Sequence, residues 1–95
     1  MRTLKWTASA LRDLEHIDAW LSTEADPEVA VRILVAIRER ANFLLEFPLG
    51  GPSFEEETHA LRVKGTNYSL VYRLHGHERI EILRIFHARQ DWRPA

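Results

Sequence analysis

Apolar residues recur along this chain with two different periods. Leu4 and Trp6 fall on one side of a short stretch from Thr3 to Trp6, with Thr3 and Lys5 on the other, which is the alternation of a β-strand. Thr7 follows, a side chain suited to capping a helix. From Ala8 to about Ser22 the period lengthens. Ala10, Leu11, Leu14, Ile17 and Leu21 are three or four residues apart and, at about 100° per residue, make a single stripe. Asp26-Pro27-Glu28 opens a second helix: an acidic cap, a proline whose missing N–H costs nothing in the first turn, and an acid favoured by the helix dipole. Ala30, Ile33, Leu34, Ile37, Ala41, Leu44 and Leu45 form its stripe, which Pro48 stops. The few residues between the helices, around Thr23 to Asp26, predict an antiparallel hairpin.

Pro48-Leu49-Gly50-Gly51-Pro52 is rich in turn formers, and Glu55-Glu56-Glu57 reads as a solvated loop. The period then returns to two. Leu61 and Val63 alternate with Arg62 and Lys64; Leu70, Tyr72 and Leu74 with Ser69, Val71 and Arg73; Ile80 and Ile82 with Arg79 and Glu81. Gly65-Thr66-Asn67 and His75-Gly76-His77 are short enough to be hairpin turns. The predicted fold is a two-layer α+β domain in the order β-α-α-β-β-β, with the helix hairpin on one face of a mainly antiparallel sheet. The other face is expected to be uncovered, carrying Arg62, Lys64, Val71, Arg73, Leu83 and Ile85. Parity alone sets Arg84 with Ile80 and Ile82, which leaves its side of the sheet open.

With 95 residues, the chain reads as one domain over 1–95, since two halves would each be too small to bury a core. It has no cysteine, which removes disulfides, thiolate metal sites and a cysteine nucleophile. No apolar run approaches the ~18 residues of a membrane span, and no signal-like segment opens the chain, so a cytoplasmic protein is expected. The formal charge of −1 conceals two unlike halves. Residues 1–58 carry six basic against eleven acidic side chains, a balance of −5, whereas residues 59–95 carry seven against three, a balance of +4. A basic sheet face suits an anionic partner. His87, beside arginines at the end of the last strand, is the sharpest candidate for acid–base chemistry. The bland alternative is a histidine that hydrogen-bonds a neighbouring segment. Tyr72 reads as a core aromatic, His75-Gly76-His77 as a turn rather than a metal site, and Asp13 with Arg12, like Glu15 with His16, as solvated helix surface. Trp20, Val31 and Val35 lie off the buried stripes, Val31 and Val35 by about 100–140°, and are either packed between the helices or left for another chain.

Trp6-Thr7 with Ala10, Asp13-Leu14 and Ile17, Pro48 with Gly50 or Gly51, Leu61-Arg62-Val63, Tyr68-Ser69-Leu70-Val71-Tyr72-Arg73, and the run from Ile82 through His87-Ala88-Arg89-Gln90-Asp91-Trp92 follow one another over nearly the whole chain. This combination resembles the RelE/ParE superfamily of toxins from bacterial toxin–antitoxin modules, also described as plasmid stabilisation proteins. The resemblance implies the same fold and one of two activities. RelE-like members are ribosome-dependent messenger RNA endoribonucleases, and ParE-like members are associated with inhibition of DNA gyrase. Attack by an RNA 2′-hydroxyl needs a base, an acid and positive charge at the phosphate. RelE-like nucleases commonly carry arginine directly after the first tyrosine of the Tyr-x-Leu-Val-Tyr segment, where this chain has Ser69. The ending His87-x-Arg89-x-Asp91 looks ParE-like.

The ParE-like reading implies a non-enzymatic gyrase inhibitor with no catalytic residues, no cofactor and no metal. Its target surface would include Arg62, Lys64, Arg73, Arg84, His87, Arg89 and Trp92. In the nuclease alternative Arg62, Arg84, His87 and Arg89 would supply charge and protons; a third possibility is an inactive relative that only binds its partner. That partner would be a cognate antitoxin, ParD-like or other, whose disordered segment folds over Trp20, Val31 and Val35. The toxin would then form part of an oligomer with it, contact operator DNA only through that complex, and have no membrane partner.

Overall fold

The computed structural model describes residues 1–76 and 78–88. The elements are β1 (Thr3–Trp6), α1 (Ala8–Glu24), α2 (Pro27–Phe43), β2 (Thr58–Arg62), β3 (Tyr68–His75) and β4 (Arg79–His87), in the expected order. Thr7 caps α1, its hydroxyl accepting from Ala10 N–H at 3.1 Å. Asp26 stands at the cap position of α2 without a side-chain bond, so Pro27 and Glu28 mark that start. The apolar stripe of α2 outlasts the helix. It ends at Phe43, and Leu44, the next residue, remains fully buried while its N–H turns back to Ala41 and Asn42. β2 begins at Thr58, ahead of the Leu61–Lys64 alternation, because pairing with β3 already starts at Thr58 and Arg73.

The four strands lie in the order β1-β4-β3-β2. β4 pairs antiparallel with β3 and parallel with β1, so the sheet is mixed, and its first and last strands are neighbours. Ala10, Ile17 and Leu21 of α1, with Ile37 and Ala41 of α2, pack with Leu61, Leu70, Tyr72, Ile80, Ile82 and Ile85 from one face of the sheet. Tyr72 is fully buried, as the sequence predicts, and its hydroxyl donates to Pro48 O and accepts from Gly51 N–H, both at 2.9 Å. His59 stacks on its ring and contacts Gly51 O through Nδ1. A Cβ on Gly51 would stand 2.8 Å from Ala60 O and 2.9 Å from the Tyr72 ring, so the loop passes closer here than any other residue allows.

β4 departs from the alternation read in the sequence. Tyr72 faces Ile82 but Val71 faces Arg84, so Leu83 is an extra residue in a bulge. The insertion reverses the parity of everything after it. Ile85, expected on the uncovered face, is in the core at 3% exposure, and Arg84 belongs to the opposite side with Val71 and Phe86. Nor is that opposite face bare. Val71 and Phe86 are buried, and the Arg84 guanidinium lies 5.1 Å above the Phe86 ring.

Candidate functional site

On the sheet face away from the helices, the register forms short cross-strand rows. Arg62, Ser69 and Phe86 form one, Val71 and Arg84 the next, and Thr58, Arg73, Glu81 and Lys5 a third. Arg62 and Arg84 are exposed, Arg73 is half-buried, and Lys64 is exposed in the turn beyond Arg62. The Arg73 Nε is buried and makes no hydrogen bond among the described residues. Glu81 meets His75 at 3.0 Å; that hydrogen bond, with Lys5 and Arg73 nearby, holds its carboxyl below the usual range. This face therefore gathers Arg62, Arg73, Arg84 and Lys5 around apolar Val71 and Phe86.

His87 is not part of that gathering. It faces Tyr68, whose ring it meets edge-on at 5.1 Å, and so lies on the helix side of the sheet. With Asp13, His16, Trp20 and Asn67 it lines a cleft of about 560 Å3 beside α1, floored by Ile17, Tyr68 and Ile85. Burial pushes the Tyr68 and Tyr72 phenols up, leaving neither as a ready base. Arg89 and Trp92 lie outside the described residues. Among described residues no group of three or more His, Cys, Asp or Glu side chains could hold a metal ion, and no helix is long and apolar enough to cross a membrane.

Trp20, Val31 and Val35 are all exposed, at 56%, 61% and 45%, but they do not form one patch. Val31 and Val35 line a groove of about 490 Å3 between the helices, with Leu11, Leu14 and Leu34 and charged Glu15, Asp18 and Arg38 at its margins. Trp20 belongs to the cleft on the other side of α1.

Asp13 is the residue the sequence reading missed. Its carboxylate accepts from Arg84 Nε at 2.7 Å, from Arg84 Nη2 at 3.0 Å and from the Ile85 backbone N–H at 2.9 Å. The bond to Asp13 raises the Arg84 pKa against the opposing effect of burial. Helical geometry carried a usable signal: at about 100° per residue Asp13 stands only about 60° from Ala10, at the margin of the buried stripe rather than on the solvent side.

The relatives are consistent with this architecture. Residues 4–92 match the family described as ParE toxin of type II toxin-antitoxin system, parDE. Protein Y4kP of Sinorhizobium fredii (strain NBRC 101917 / NGR234), named as a candidate toxin, is 33% identical over 92 residues, spanning 96% of this chain and 93% of its own. A solved chromosomal ParDE toxin–antitoxin system from P. aeruginosa contains a chain that superposes with a TM-score of 0.79 at 30% identity, covering 92% of this chain and 96% of that one. A chain of the RelBE2 toxin–antitoxin complex from Mycobacterium tuberculosis gives 0.66 at 33% identity, covering 90% and 96%. The intact E. coli RelBE complex shares the fold, with 0.61 at 13% identity over 95% of this chain and 100% of that one. A family match over nearly the full length, carried by a sheet and helix hairpin of the same build, means that this chain belongs to the ParE toxin family of type II toxin–antitoxin systems, within the RelE/ParE superfamily.

Proposed function

We propose that this toxin acts in the cytoplasm by binding and inhibiting DNA gyrase rather than by cutting RNA, and that a cognate antitoxin silences it. The observation that carries the reading is the dispersal of the groups a nuclease would need. Arg84 is tied to Asp13, His87 lies on the helix side of the sheet, and Arg62 lies across β3 on the other side with Ser69 between the strands. General acid–base catalysis requires its groups within reach of one reacting phosphate. A basic face whose arginines are spread over β2, β3 and β4 instead suits recognition of an extended anionic surface. Arg62, Lys64, Arg73 and Arg84 belong to that target surface, with Arg89 and Trp92 as further members in the segment beyond the described residues. His87, across the sheet, would contribute only from its edge.

The antitoxin would cover the Val31–Val35 groove and, by crossing α1, reach Trp20 in the second cleft. The P. aeruginosa and M. tuberculosis relatives come from toxin–antitoxin systems, which supports a partner of this kind. Contact with operator DNA would then pass through the complex. Purified toxin added to gyrase should abolish supercoiling and let cleaved DNA accumulate, and stoichiometric antitoxin should reverse both effects. Unimpaired gyrase together with messenger RNA cut on ribosomes would establish the nuclease instead; a protein that does neither and lets cells grow without antitoxin would be an inactive relative.

A further inference from the structure

β1 ends before β4 has finished. Pairing between β1 and β4 stops at Trp6 and Ile82, so from Leu83 to His87 β4 has no strand on that side. Such an edge leaves backbone donors and acceptors without partners. Two side chains at the start of the helical layer substitute for the missing strand. Thr7 Oγ1 donates to Leu83 O at 3.0 Å, and Asp13 Oδ2 accepts from Ile85 N–H at 2.9 Å.

The Asp13 carboxylate also takes Arg84 side-on, with Nε and Nη2 each on an oxygen. Its own side chain is 14% exposed while that of Arg84 is 48% exposed, so the anchor is buried and the anchored group is presented. Phe86 supports the guanidinium from the sheet side. A bidentate fork of this kind fixes both the position and the plane of an arginine. Free arginine side chains are flexible, and ordering one on binding reduces affinity.

We infer that Asp13 is a positioning residue for toxicity: it holds Arg84 in one orientation on the target surface, so that the arginine meets its partner already ordered. This rests on the proposal that the chain is an active toxin that works through that surface. Asp13 need not touch the target. Its effect should pass entirely through Arg84, which separates it from a residue that merely caps a strand edge.

The test uses the full chain with Asp13→Asn, Arg84→Ala, Arg84→Lys and the double variant Asp13→Asn/Arg84→Ala. In the wild type the Arg84 Nε–H should give a slowly exchanging 15N–1H signal; Asp13→Asn should lose it while the backbone amide spectrum stays folded. Growth arrest on induction without antitoxin is the potency measure, because it does not depend on which target is hit. Asp13→Asn should weaken arrest at least tenfold, Arg84→Ala at least as much, and the double variant no more than Arg84→Ala alone. Arg84→Lys keeps the charge but not the two-point contact and should also lose most potency, which preserves the test should Asp13→Asn fail to fold. An Asp13→Asn toxin that loses the Arg84 signal yet arrests growth as well as wild type overturns the inference. So does a double variant whose losses multiply, or an undiminished Arg84→Lys. Intact gyrase alongside the expected growth pattern would overturn the gyrase reading alone, whereas a wild type that lets cells grow would overturn both.

Discussion

Tyr72 closes the fold with one hydroxyl. It bridges Pro48 and Gly51 in the turn after α2, and His59 stacks against its ring, so a polar group deep in the core is satisfied and the loop is fastened at the same point. Tyr72→Phe keeps the packing but strands the Gly51 N–H and one acceptor, and should cost about 1–3 kcal/mol in denaturant unfolding. The chain has two tyrosines, Tyr68 and Tyr72, both buried and both with phenols raised above the ordinary value by burial. A pKa raised in the fold means that the folded state favours the neutral phenol. The associated stability is complete below the unfolded pKa of about 10 and is lost as pH rises through the folded values. Phenolate absorbance should therefore appear only together with loss of helical circular dichroism in an alkaline titration; phenolate formed by a still-folded chain would contradict the burial. Tyr72 was legible as a core residue from alternation alone. Its hydrogen-bond partners were not, because Pro48 and Gly51 are more than twenty positions away and no periodicity records such a contact.

At the scale of elements, the helices and turns followed from period, caps and prolines, whereas β4 did not. Alternation through Ile80 and Ile82 predicts inward-facing residues at even numbers, and one unpaired residue, Leu83, turns Ile85 inward instead. The clue was present as the loss of alternation through Leu83-Arg84-Ile85-Phe86, but periodicity cannot say which residue of such a run is the extra one. Because Val71 already faces Arg84 and Tyr72 faces Ile82, deleting Leu83 would straighten the strand without changing which residues face the core. That deletion should still fold, at a cost of about 1–3 kcal/mol from the Thr7 bond and the half-buried leucine. Deleting Ile85 reverses the parity after it, driving Phe86 into the core place of Ile85 and His87 to the far face, so it should be far more damaging. Thermal unfolding of the two variants decides the matter; a Leu83 deletion as disruptive as the Ile85 deletion would show that the bulge itself, not the register, is required.

Across the whole molecule, the charge division read from the sequence has a structural counterpart: an acidic helix hairpin on one layer, and a sheet whose far face carries Arg62, Arg73 and Arg84. What the sequence could not show is that the apolar residues left exposed on the helices serve two separate concavities, one on each side of α1. An antitoxin that spans both should be weakened by substitutions in either. Val31→Asp and Val35→Asp are expected to lower its affinity at least tenfold while changing stability by only about 0.5 kcal/mol, as befits exposed sites. Trp20→Ala should multiply that loss, since its cleft is distinct. Calorimetric titration checks both, and an unchanged affinity in Trp20→Ala would confine the footprint to the interhelical groove. The neighbouring of β1 and β4 bears on how this toxin comes into being. Residues 3–6 can complete their pairing only with residues 79–82, and β4 is also the strand that joins β1 to the rest of the sheet. Closing so long a loop is slow compared with winding a helical hairpin. During synthesis the hairpin therefore emerges first, with its apolar stripe awaiting a sheet that cannot be assembled until the last of these strands has been made.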